Sequence, residues 1–487
     1  MTDVAVVGAG PNGLAAALTM ARAGLSVVVH EAADAVGGGT RTSELTLPGF
    51  HHDVCSAVHP MALASPFFRA FGLAERIELL VPEISYGHPL DGGRAGIAYR
   101  DLDQTVQSLG VDGKAWRSLM EPLLRRMDGV IDFTQNNLAR FPADPLAAVN
   151  FGLRTLEQGT PAWAFRFHEQ VAPAMLTGVA AHAIGRLPSL AAAGAGLLLG
   201  ALAHAGGWPV PRGGSQAIAE AMAADLLAHG GTISLDSPVT SISALRAETG
   251  ARAVICDLTP RALARLGADE LPDRYIRKLE SFKYGAGVCK VDFALSGPVP
   301  WANPELHRAP TLHLGGSRTA IALAERQVLA GGHPEAPYVL AAQPGVLDPG
   351  RAPAGQHTFW AYTHVPAGST RDRTEAVVAQ VERYAPGFRD LILATHTATA
   401  EDVGVYNPNY IGGDISSGAV TLTQLLKRPV VARDPWRTPA PGLYLGSAAT
   451  PPGPAVHGMG GWFAAQSALR HTFGLPTPDL GPGPAKP

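Results

Sequence analysis

The chain of 487 residues is too long for one ordinary hydrophobic core, so we predict two domains. The net charge is −3 and the sequence has no long run of basic residues, so it lacks the basic patch that nucleic-acid binding usually requires. Charged residues make up only 16% of the chain, against about 25% in typical soluble proteins, and this favours a large buried volume, an apolar substrate cavity or a peripheral contact with lipid.

The N-terminal segment has the pattern of a dinucleotide-binding unit. Val4–Val7 predicts a buried parallel strand, the turn Gly8-Ala9-Gly10-Pro11-Asn12-Gly13 follows at once, and residues 14–23 predict a helix. Gly8 allows the tight turn, Gly10 lets the backbone approach a pyrophosphate, and Gly13 lets helix and strand pack closely. The helix N-terminus offers free N–H groups to that anion. The cofactor-binding residues predicted here are Gly8, Gly10, Pro11, Asn12 and Gly13.

Two features after this helix favour FAD over NAD. A second strand over residues 26–30 ends at Glu31, whose carboxylate can accept hydrogen bonds from the adenosine ribose hydroxyls. Both cofactors share the pattern to this point. The turn Gly37–Arg41 favours FAD, because flavoproteins that bind FAD through this kind of N-terminal unit use a second glycine-rich turn and an arginine beside the pyrophosphate. Further contacts are predicted for Ala32, Gly38, Gly39, Thr40 and Arg41.

The stretch Leu190–Ala205 is the most apolar part of the chain. It is shorter than the roughly 20 apolar residues of a membrane span, so we interpret it as a buried helix rather than a membrane-facing patch. The first strand begins at Val4 with no signal peptide ahead of it. We therefore predict a cytoplasmic protein, with peripheral membrane association as the alternative.

The remaining strands predict an α/β fold with two units. Residues 232–235, 239–242 and 253–256 predict short strands that return to the nucleotide-binding sheet, with the backbone of Val239 against the adenine. Residues 284–295, 338–343 and 357–364 predict an antiparallel sheet. We assign 1–75, 206–282 and 425–487 to a discontinuous Rossmann-type FAD-binding domain. We assign 76–205 and 283–424 to an α+β substrate (cap) domain.

A second anion-receptive helix start lies near the C-terminus. A short strand ends at Gly446-Ser447, and the loop Pro451–Gly461 leads into a helix. Backbone N–H groups there are suited to the N1/C2=O edge of the flavin ring, which becomes negative on reduction. The contacts predicted here are Gly446, Ser447, His457, Gly458 and Met459.

Together these motifs resemble the phytoene-desaturase-like FAD oxidoreductases, the group that includes retinol saturase and the pyridine nucleotide-disulfide oxidoreductase domain-containing proteins. Other segments that carry the resemblance are Val210–Gly214, Asp257–Pro260, Asp348–Gly355, Trp360–Pro366 and Asn407–Ile415. The sequence departs from the family at Gly446-Ser447-Ala448-Ala449, where Gly-x-Gly is usual.

The resemblance implies a flavin that takes a hydride from a C–H bond of a hydrophobic or amphipathic molecule and leaves a C=C bond. The electron acceptor, whether quinone, oxygen or a protein, stays open. An amine-oxidase-like oxidase that uses oxygen is an alternative. A non-redox role is another, either as a flavin-dependent isomerase or as a lipid-binding protein.

Three side chains are candidates for catalysis. His457 lies in the loop expected to face the flavin ring, where it would donate a hydrogen bond, shuttle a proton or only hold the loop. Asp414 follows Gly-Gly and is either a base or a turn-closing residue. His59 is expected to line the flavin's other face or to be packed. We predict no metal site, since His51–Asp53 is interpreted as a solvated loop.

Overall fold

The computed structural model of the chain describes residues 2–482. Met1 and residues 483–487, the outer ends of the predicted FAD-binding segments, lie outside the described residues. The strands are β1 Val4–Val7, β2 Val27–His30, β3 Thr42–Glu44, β4 His51–Asp53, β5 Leu79–Leu80, β6 Ile84–Pro89, β7 Ala95–Tyr99, β8 Val210–Pro211, β9 Thr232–Ser234, β10 Ala253–Cys256, β11 Gly287–Leu295, β12 Thr311–Leu314, β13 Val339–Ala342, β14 His357–Val365, β15 Ile392–Ala398 and β16 Leu443–Leu445.

Helices connect these strands and cover both sheets. They are α1 Pro11–Arg22, α2 Pro66–Phe71, α3 Leu73–Arg76, α4 Leu102–Ser108, α5 Gly113–Leu124, α6 Met127–Thr134, α7 Pro145–Gln158, α8 Val171–Ala180, α9 Leu190–Ala205, α10 Gln216–Ala228, α11 Ile242–Thr249, α12 Pro260–Leu266, α13 Asp273–Glu280, α14 Arg318–Leu329, α15 Thr374–Glu382, α16 Ala400–Tyr406, α17 Leu422–Lys427 and α18 Met459–Ala468.

A parallel sheet of order β16-β10-β1-β2-β9 forms the first layer system. The Val-Ala-Val-Val run of β1 is buried because it has a strand on each side and helices on both faces. One face packs on α1, α10 and α18, and the other on α11, α12 and α13. The five strands come from widely separated segments, as predicted for a discontinuous nucleotide-binding domain.

A mostly antiparallel sheet of order β15-β11-β14-β13-β12-β6-β7 forms the second system. The predicted strands over 284–295, 357–364 and 338–343 are its neighbouring members β11, β14 and β13. Only the β12–β6 pairing within residues 2–482 is parallel in this sheet. One face packs against α15, and the other meets α8, α9 and the parallel sheet across a cavity. The predicted fold class is confirmed.

The apolar segment Leu190–Ala205 is a helix, α9, with the predicted bounds. Ser189 caps its N-terminus by accepting a hydrogen bond from Ala192 N (3.3 Å), and many of its residues are buried against α7 and α8. Across residues 2–482, every helix is too short or too polar to cross a bilayer.

Two local predictions are wrong. Residues 239–242 do not form a strand, because Ser241 accepts a hydrogen bond from Ala244 N (3.2 Å) and so starts α11. His51–Asp53 is not a solvated loop but strand β4, in which His52 and Asp53 are buried. Asp53 is buried because a distant cation, Arg351, neutralises it.

Arg351 lies at the centre of a buried ion cluster between the two sheet systems. Its Nη1 donates to Asp53 Oδ2 (3.0 Å) and its Nε to Asp348 Oδ2 (2.9 Å). Asp53 also accepts hydrogen bonds from Ser215 N (2.7 Å) and Thr42 Oγ1 (2.8 Å). The cluster thereby ties β3 and β4 to the start of α10 and to the loop after β13.

Candidate active site

A cavity of about 820 Å³ lies at the carboxyl ends of the parallel strands. Its wall includes Val7 at the end of β1, His30 at the end of β2, Asp257 after β10 and Ser447 after β16. This edge is where open parallel sheets bind their ligands. The antiparallel sheet and α9 line the opposite end.

The first glycine turn opens directly on this cavity. Gly8 has a φ of +97°, and a side chain on Gly13 would place its Cβ 2.0 Å from the carbonyl oxygen of Gly8. The N-cap of α1, Gly10, makes no side-chain capping hydrogen bond, and Gly10, Pro11 and Asn12 line the cavity. A helix N-terminus without a side-chain cap, reached through glycines, fits the pyrophosphate of a dinucleotide.

Glu31 forms hydrogen bonds with the backbone of the glycine turn and of the residues that follow β2. Its two carboxylate oxygens accept hydrogen bonds from Ala9 N (2.7 Å) and Ala33 N (2.9 Å), and Arg41 Nη2 lies 3.7 Å from Oε1. Glu31 and Arg41 both line the cavity, as does Val239 at the same end. The three groups predicted to bind the adenosine diphosphate part of the cofactor, Glu31, Arg41 and the backbone of Val239, therefore lie at the same end of the cavity.

Most of the predicted cofactor-binding residues meet at this cavity. Those that line it are Gly8, Gly10, Pro11, Asn12, Glu31, Ala32, Gly38, Gly39, Thr40, Arg41, Val239 and Ser447. Those that do not line it are Gly13, Gly446, His457, Gly458 and Met459. The glycines of this second set allow close packing instead. A Cβ on Gly446 would lie 2.6 Å from Ala464 Cβ, and one on Gly458 would lie 2.3 Å from Phe67 Cδ1.

The structure places His457 behind the cavity wall rather than on it. Its Nδ1 accepts a hydrogen bond from Met459 N (3.1 Å), and its Nε2 lies 3.1 Å from the carbonyl oxygen of Gly453, to which it donates. Both ring nitrogens thus hold the loop, and burial lowers the pKa of His457 to about 4. The neighbouring Pro454, Ala455 and Val456 line the cavity in its place.

Asp414 closes a turn away from the cavity. Its carboxylate accepts hydrogen bonds from Gly285 N (2.7 Å), Ser416 N (2.9 Å) and Gly418 N (2.9 Å). These contacts are those of a buried structural carboxylate, so the geometry gives it no role as a base. The residues that follow it, Ser416 and Ser417, do line the cavity.

His59 is the member of the predicted catalytic set that lines the cavity. Its Nε2 lies 2.7 Å from Ser215 Oγ, which in turn donates to the carbonyl oxygen of Ser56 (2.5 Å). Burial lowers the pKa of His59 to about 4, so the ring is neutral at neutral pH. Its fixed hydrogen bond makes it a wall residue that joins the loop before α2 to the turn before α10.

The antiparallel sheet supplies the floor of the far end of the cavity. Paired residues share a face, so two rows across β12, β13 and β14 point the same way. The first row is Thr311, Ala342 and Trp360, and the second is His313, Leu340 and Tyr362. All but His313 line the cavity, and His182 covers His313.

Sequence reasoning missed several residues at this end. His182, Trp208, Leu198 and Leu199 lie in apolar segments whose pattern predicts only burial. The one available signal was a histidine in an otherwise apolar run, at Ala180-Ala181-His182-Ala183-Ile184. A polar side chain in such a run requires either a buried partner or a ligand.

Charge is distributed unevenly along the cavity. Among the described residues that line it, the Asp, Glu, Lys and Arg side chains are Glu31, Arg41, Asp257 and Arg265, all from elements of the parallel sheet system. The far end has apolar, aromatic and neutral polar walls. Metal-binding clusters of three or more His, Cys, Asp or Glu side chains do not occur within residues 2–482.

Relatives of known sequence match nearly the whole chain or a part of it. Pyridine nucleotide-disulfide oxidoreductase domain-containing protein 2 of Rattus norvegicus is 25% identical over 549 aligned positions, which cover 96% of this chain and 93% of the relative. One of the subunits of limonene dehydrogenase from Castellaniella defragrans is 32% identical over 108 residues, 22% of this chain and 19% of that protein.

Solved structures share the fold at low identity. A putrescine oxidase variant matches with a TM-score of 0.58 and 19% identity, covering 96% of this chain and 98% of that one. Cyclohexylamine oxidase from Brevibacterium oxydans matches with a TM-score of 0.56 and 16% identity, covering 96% and 98%. The family model described as flavin-containing amine oxidoreductase matches residues 12–466. The glycine-lined cavity fits the dinucleotide that such enzymes bind. The chain therefore belongs to this family and is an FAD-dependent oxidoreductase.

Proposed function

We propose that the protein dehydrogenates a neutral, apolar or amphipathic molecule, removing a hydride from a C–H bond to leave a C=C bond. The proposal rests on the composition of the far end of the cavity, where the described wall residues include no Asp, Glu, Lys or Arg. An ionic group buried there would lose its hydration without gaining a partner of opposite charge, which is costly. An apolar molecule loses nothing by entering and gains contact with aromatic and aliphatic walls.

The chain's own residues would hold FAD at the other end. The turn around Gly8 and Gly10 would hold the pyrophosphate, Glu31 the ribose, and the loop Pro454–Val456 would border the ring. The flavin, once bound, supplies the acceptor for a hydride. The remaining task of the protein would be to orient the substrate and exclude water, and the apolar and aromatic walls of the far end are suited to this.

One relative supports a neutral substrate. The protein that matches over 108 residues is named as part of limonene dehydrogenase, and limonene is a hydrocarbon without a charged group. A dehydrogenase for such a molecule needs the kind of uncharged pocket described above.

The test is anaerobic reduction of the flavin. Purified holoenzyme is mixed with a panel of neutral terpenoids, unsaturated lipids and cyclic ketones, and in parallel with primary amines of matched size. We expect the visible flavin band to bleach with neutral compounds, whose products have lost two hydrogen atoms by mass spectrometry. Bleaching by amines alone would contradict the proposal.

Amine oxidation is the second candidate, and one arrangement favours it. The rings of Trp360 and Tyr362 lie nearly parallel, with centroids 5.8 Å apart at 14°, and both line the cavity together with Tyr410. Aromatic faces of this kind bind amines well. Bleaching by amines with release of hydrogen peroxide in air would favour this candidate.

Glu31→Gln is expected to weaken FAD binding by about 1.5–3 kcal/mol, roughly tenfold to a hundredfold in Kd, because charged acceptors at Ala9 N and Ala33 N are lost together with the ribose contact. Fluorescence titration of apoprotein with FAD measures this change. Asp34→Asn, an exposed acid nearby, is the matched control and should bind FAD like the wild type. Unchanged affinity in Glu31→Gln would contradict the assignment.

FAD binding is expected to weaken as the pH rises through about 7. Asp257 is buried beside the glycine turn, where its Oδ2 accepts a hydrogen bond from Gly13 N (2.9 Å), and burial raises the pKa of this carboxyl to about 7. The raised pKa means that protonation favours the folded state, and this contribution to stability is lost as the pH rises from 3.8 to about 7. Above that pH the carboxylate also repels the anionic pyrophosphate.

Titrations of apoprotein with FAD well below and well above pH 7 measure this effect. We expect Kd to rise at least about tenfold in the wild type, the equivalent of one pKa unit of coupling. Asp257→Asn keeps the shape and stays neutral, so its affinity should not depend on pH in this range. An equal pH dependence in both proteins would assign the effect to another group.

A further inference from the structure

His182 lies where the far end of the cavity meets the antiparallel sheet. It belongs to the short turn Ala181–Ala183 after α8 and lines the cavity, and the Trp208 ring packs edge-on against it at 5.8 Å. Two residues later Ile184 has a φ of +47°, a left-handed conformation that β-branched residues rarely adopt. Backbone strain of this kind persists where surrounding structure fixes a functional side chain.

His182 forms a pair with a second imidazole. Its Nε2 lies 2.8 Å from Nε2 of His313, which is fully buried on β12. Two rings that meet in this way share one proton, so one ring donates and the other accepts. Burial lowers the pKa of His182 to about 3 and also lowers the pKa of His313 well below its usual value, so both rings are neutral near neutral pH. The pair therefore has two tautomeric arrangements of similar geometry.

A third histidine, His88, packs beside His313. Nε2 of His88 donates to the carbonyl oxygen of Gly316 (2.9 Å), which leaves Nδ1 of His88 as a bare acceptor. In residues 2–482, Nδ1 of His88 and Nδ1 of His313 are both buried without a hydrogen-bond partner. Both residues pack at Gly178, where an added Cβ would lie 2.8 Å from each. Unpaired buried nitrogens cost free energy and call for a functional explanation.

We propose that His182 is the catalytic base of the reaction, a proposal that rests on the dehydrogenation proposed above. The substrate's acidic carbon loses its proton to Nδ1 of His182, and the electron pair of that C–H bond becomes the second bond of the new C=C. A bound flavin would accept the hydrogen of the neighbouring carbon together with its two electrons. His182 keeps its Nε2 proton and donates it in a hydrogen bond to Nε2 of His313, which stabilises the positive charge that His182 then carries.

Other titratable groups at this end are less suited to the task. Nε2 of His59 donates to the Ser215 hydroxyl, which is a weaker acceptor than a second imidazole and would stabilise a protonated ring less. Burial raises the pKa values of Tyr362 and Tyr410, so both phenols keep their protons near neutral pH and do not act as bases. Cys55, which also lines the cavity, has a pKa raised by burial. Among these residues, only His182 forms a hydrogen bond with a second imidazole behind the cavity wall, that of His313.

The test compares rates of anaerobic flavin reduction in holoenzyme variants, with a neutral substrate that bleaches the wild type. His182→Gln should reduce the rate about 10²- to 10⁴-fold, the usual contribution of a general base, while FAD content and substrate affinity stay close to wild type. In His182→Gly, added imidazole should restore part of the rate, which a merely structural role would not allow. His333→Gln, a histidine outside the cavity, is the matched control and should retain the wild-type rate.

A third variant covers the case in which changes at His182 unfold the chain. His313→Leu leaves His182 in place but removes the acceptor of its Nε2 hydrogen bond, so the protonated ring loses its stabilising partner and the rate should fall while flavin absorbance is retained. Wild-type rates in His182→Gln or in His313→Leu would overturn the base and leave dehydrogenation standing. A wild type that no neutral compound bleaches would overturn dehydrogenation, and this inference with it.

Discussion

Replacing Arg351 with methionine is expected to lower the free energy of unfolding by about 3–5 kcal/mol, the usual cost of removing one partner from a buried ion pair. The side chain of Arg351 is 1% exposed, and its two partners, Asp53 and Asp348, are 0% and 4% exposed. Asp53 would stay buried without its cation, and Asp348 would keep only the half-exposed Arg212, whose Nη1 lies 3.7 Å from Asp348 Oδ1. The loss is large because three segments distant in sequence meet at this one guanidinium.

Urea unfolding followed by tryptophan fluorescence measures the change. Arg389→Met is the matched control, because its ion pair with Glu375 is exposed and screened by water, so little change is expected. Adding Asp53→Asn and Asp348→Asn to Arg351→Met should recover much of the loss, since no buried charge then remains. A single variant as stable as the wild type would show that water or rearrangement compensates the two acids.

Gly13→Ala is expected to remove FAD binding and to destabilise the nucleotide-binding half by about 1–3 kcal/mol or more, because a well-packed backbone contact cannot accept an extra methyl group. The new Cβ would lie 2.0 Å from the carbonyl oxygen of Gly8 and 3.2 Å from Asp257 Cβ. Helix α1 must then move away from β1, which displaces the N–H groups that face the pyrophosphate.

Gly152→Ala provides the control for this substitution. Gly152 lies inside α7, and an added Cβ there would meet no atom within 4 Å. Alanine should therefore stabilise that helix by roughly 0.5–1 kcal/mol and leave FAD content unchanged. Retention of yellow colour through gel filtration, together with the melting temperature, reports both quantities. A fully yellow, equally stable Gly13→Ala protein would contradict the packing argument.

The nucleotide-binding end could be predicted because its signals are local. The run Val4–Val7, the spacing of Gly8, Gly10 and Gly13, and the acid at Glu31 occupy one short stretch, and each has one physical purpose. The aromatic alternation in residues 357–364 likewise predicts a strand by itself, and the structure has the strand at His357–Val365. The strand prediction for residues 239–242 was wrong because four residues are too few to give a reliable alternation, and Ser241 instead caps the start of α11.

The substrate end could not be predicted, because its geometry depends on contacts between distant residues. His182 and His313 are 131 residues apart, and each lies in a segment whose pattern indicates only burial. Asp53 and Arg351 are 298 residues apart, so neither sequence context reveals the other charge. His457 and Asp414 were attractive as polar residues in glycine-rich loops, yet their polar atoms are bound to the backbone of those same loops.

The order in which the parallel sheet is assembled has a consequence for biosynthesis. β1 lies between β2 and β10, while β16 and α18, which complete the sheet edge and pack on α1, are translated long afterwards. Asn12 Oδ1 even accepts a hydrogen bond from Gly461 N (3.3 Å), so the glycine turn is braced by a distant segment. A nascent chain that lacks β16 and α18 therefore has an unfinished cofactor site with an apolar helix face uncovered. We therefore expect flavin to load only after α18 has been translated, and we expect the incomplete chain to be prone to aggregation until then.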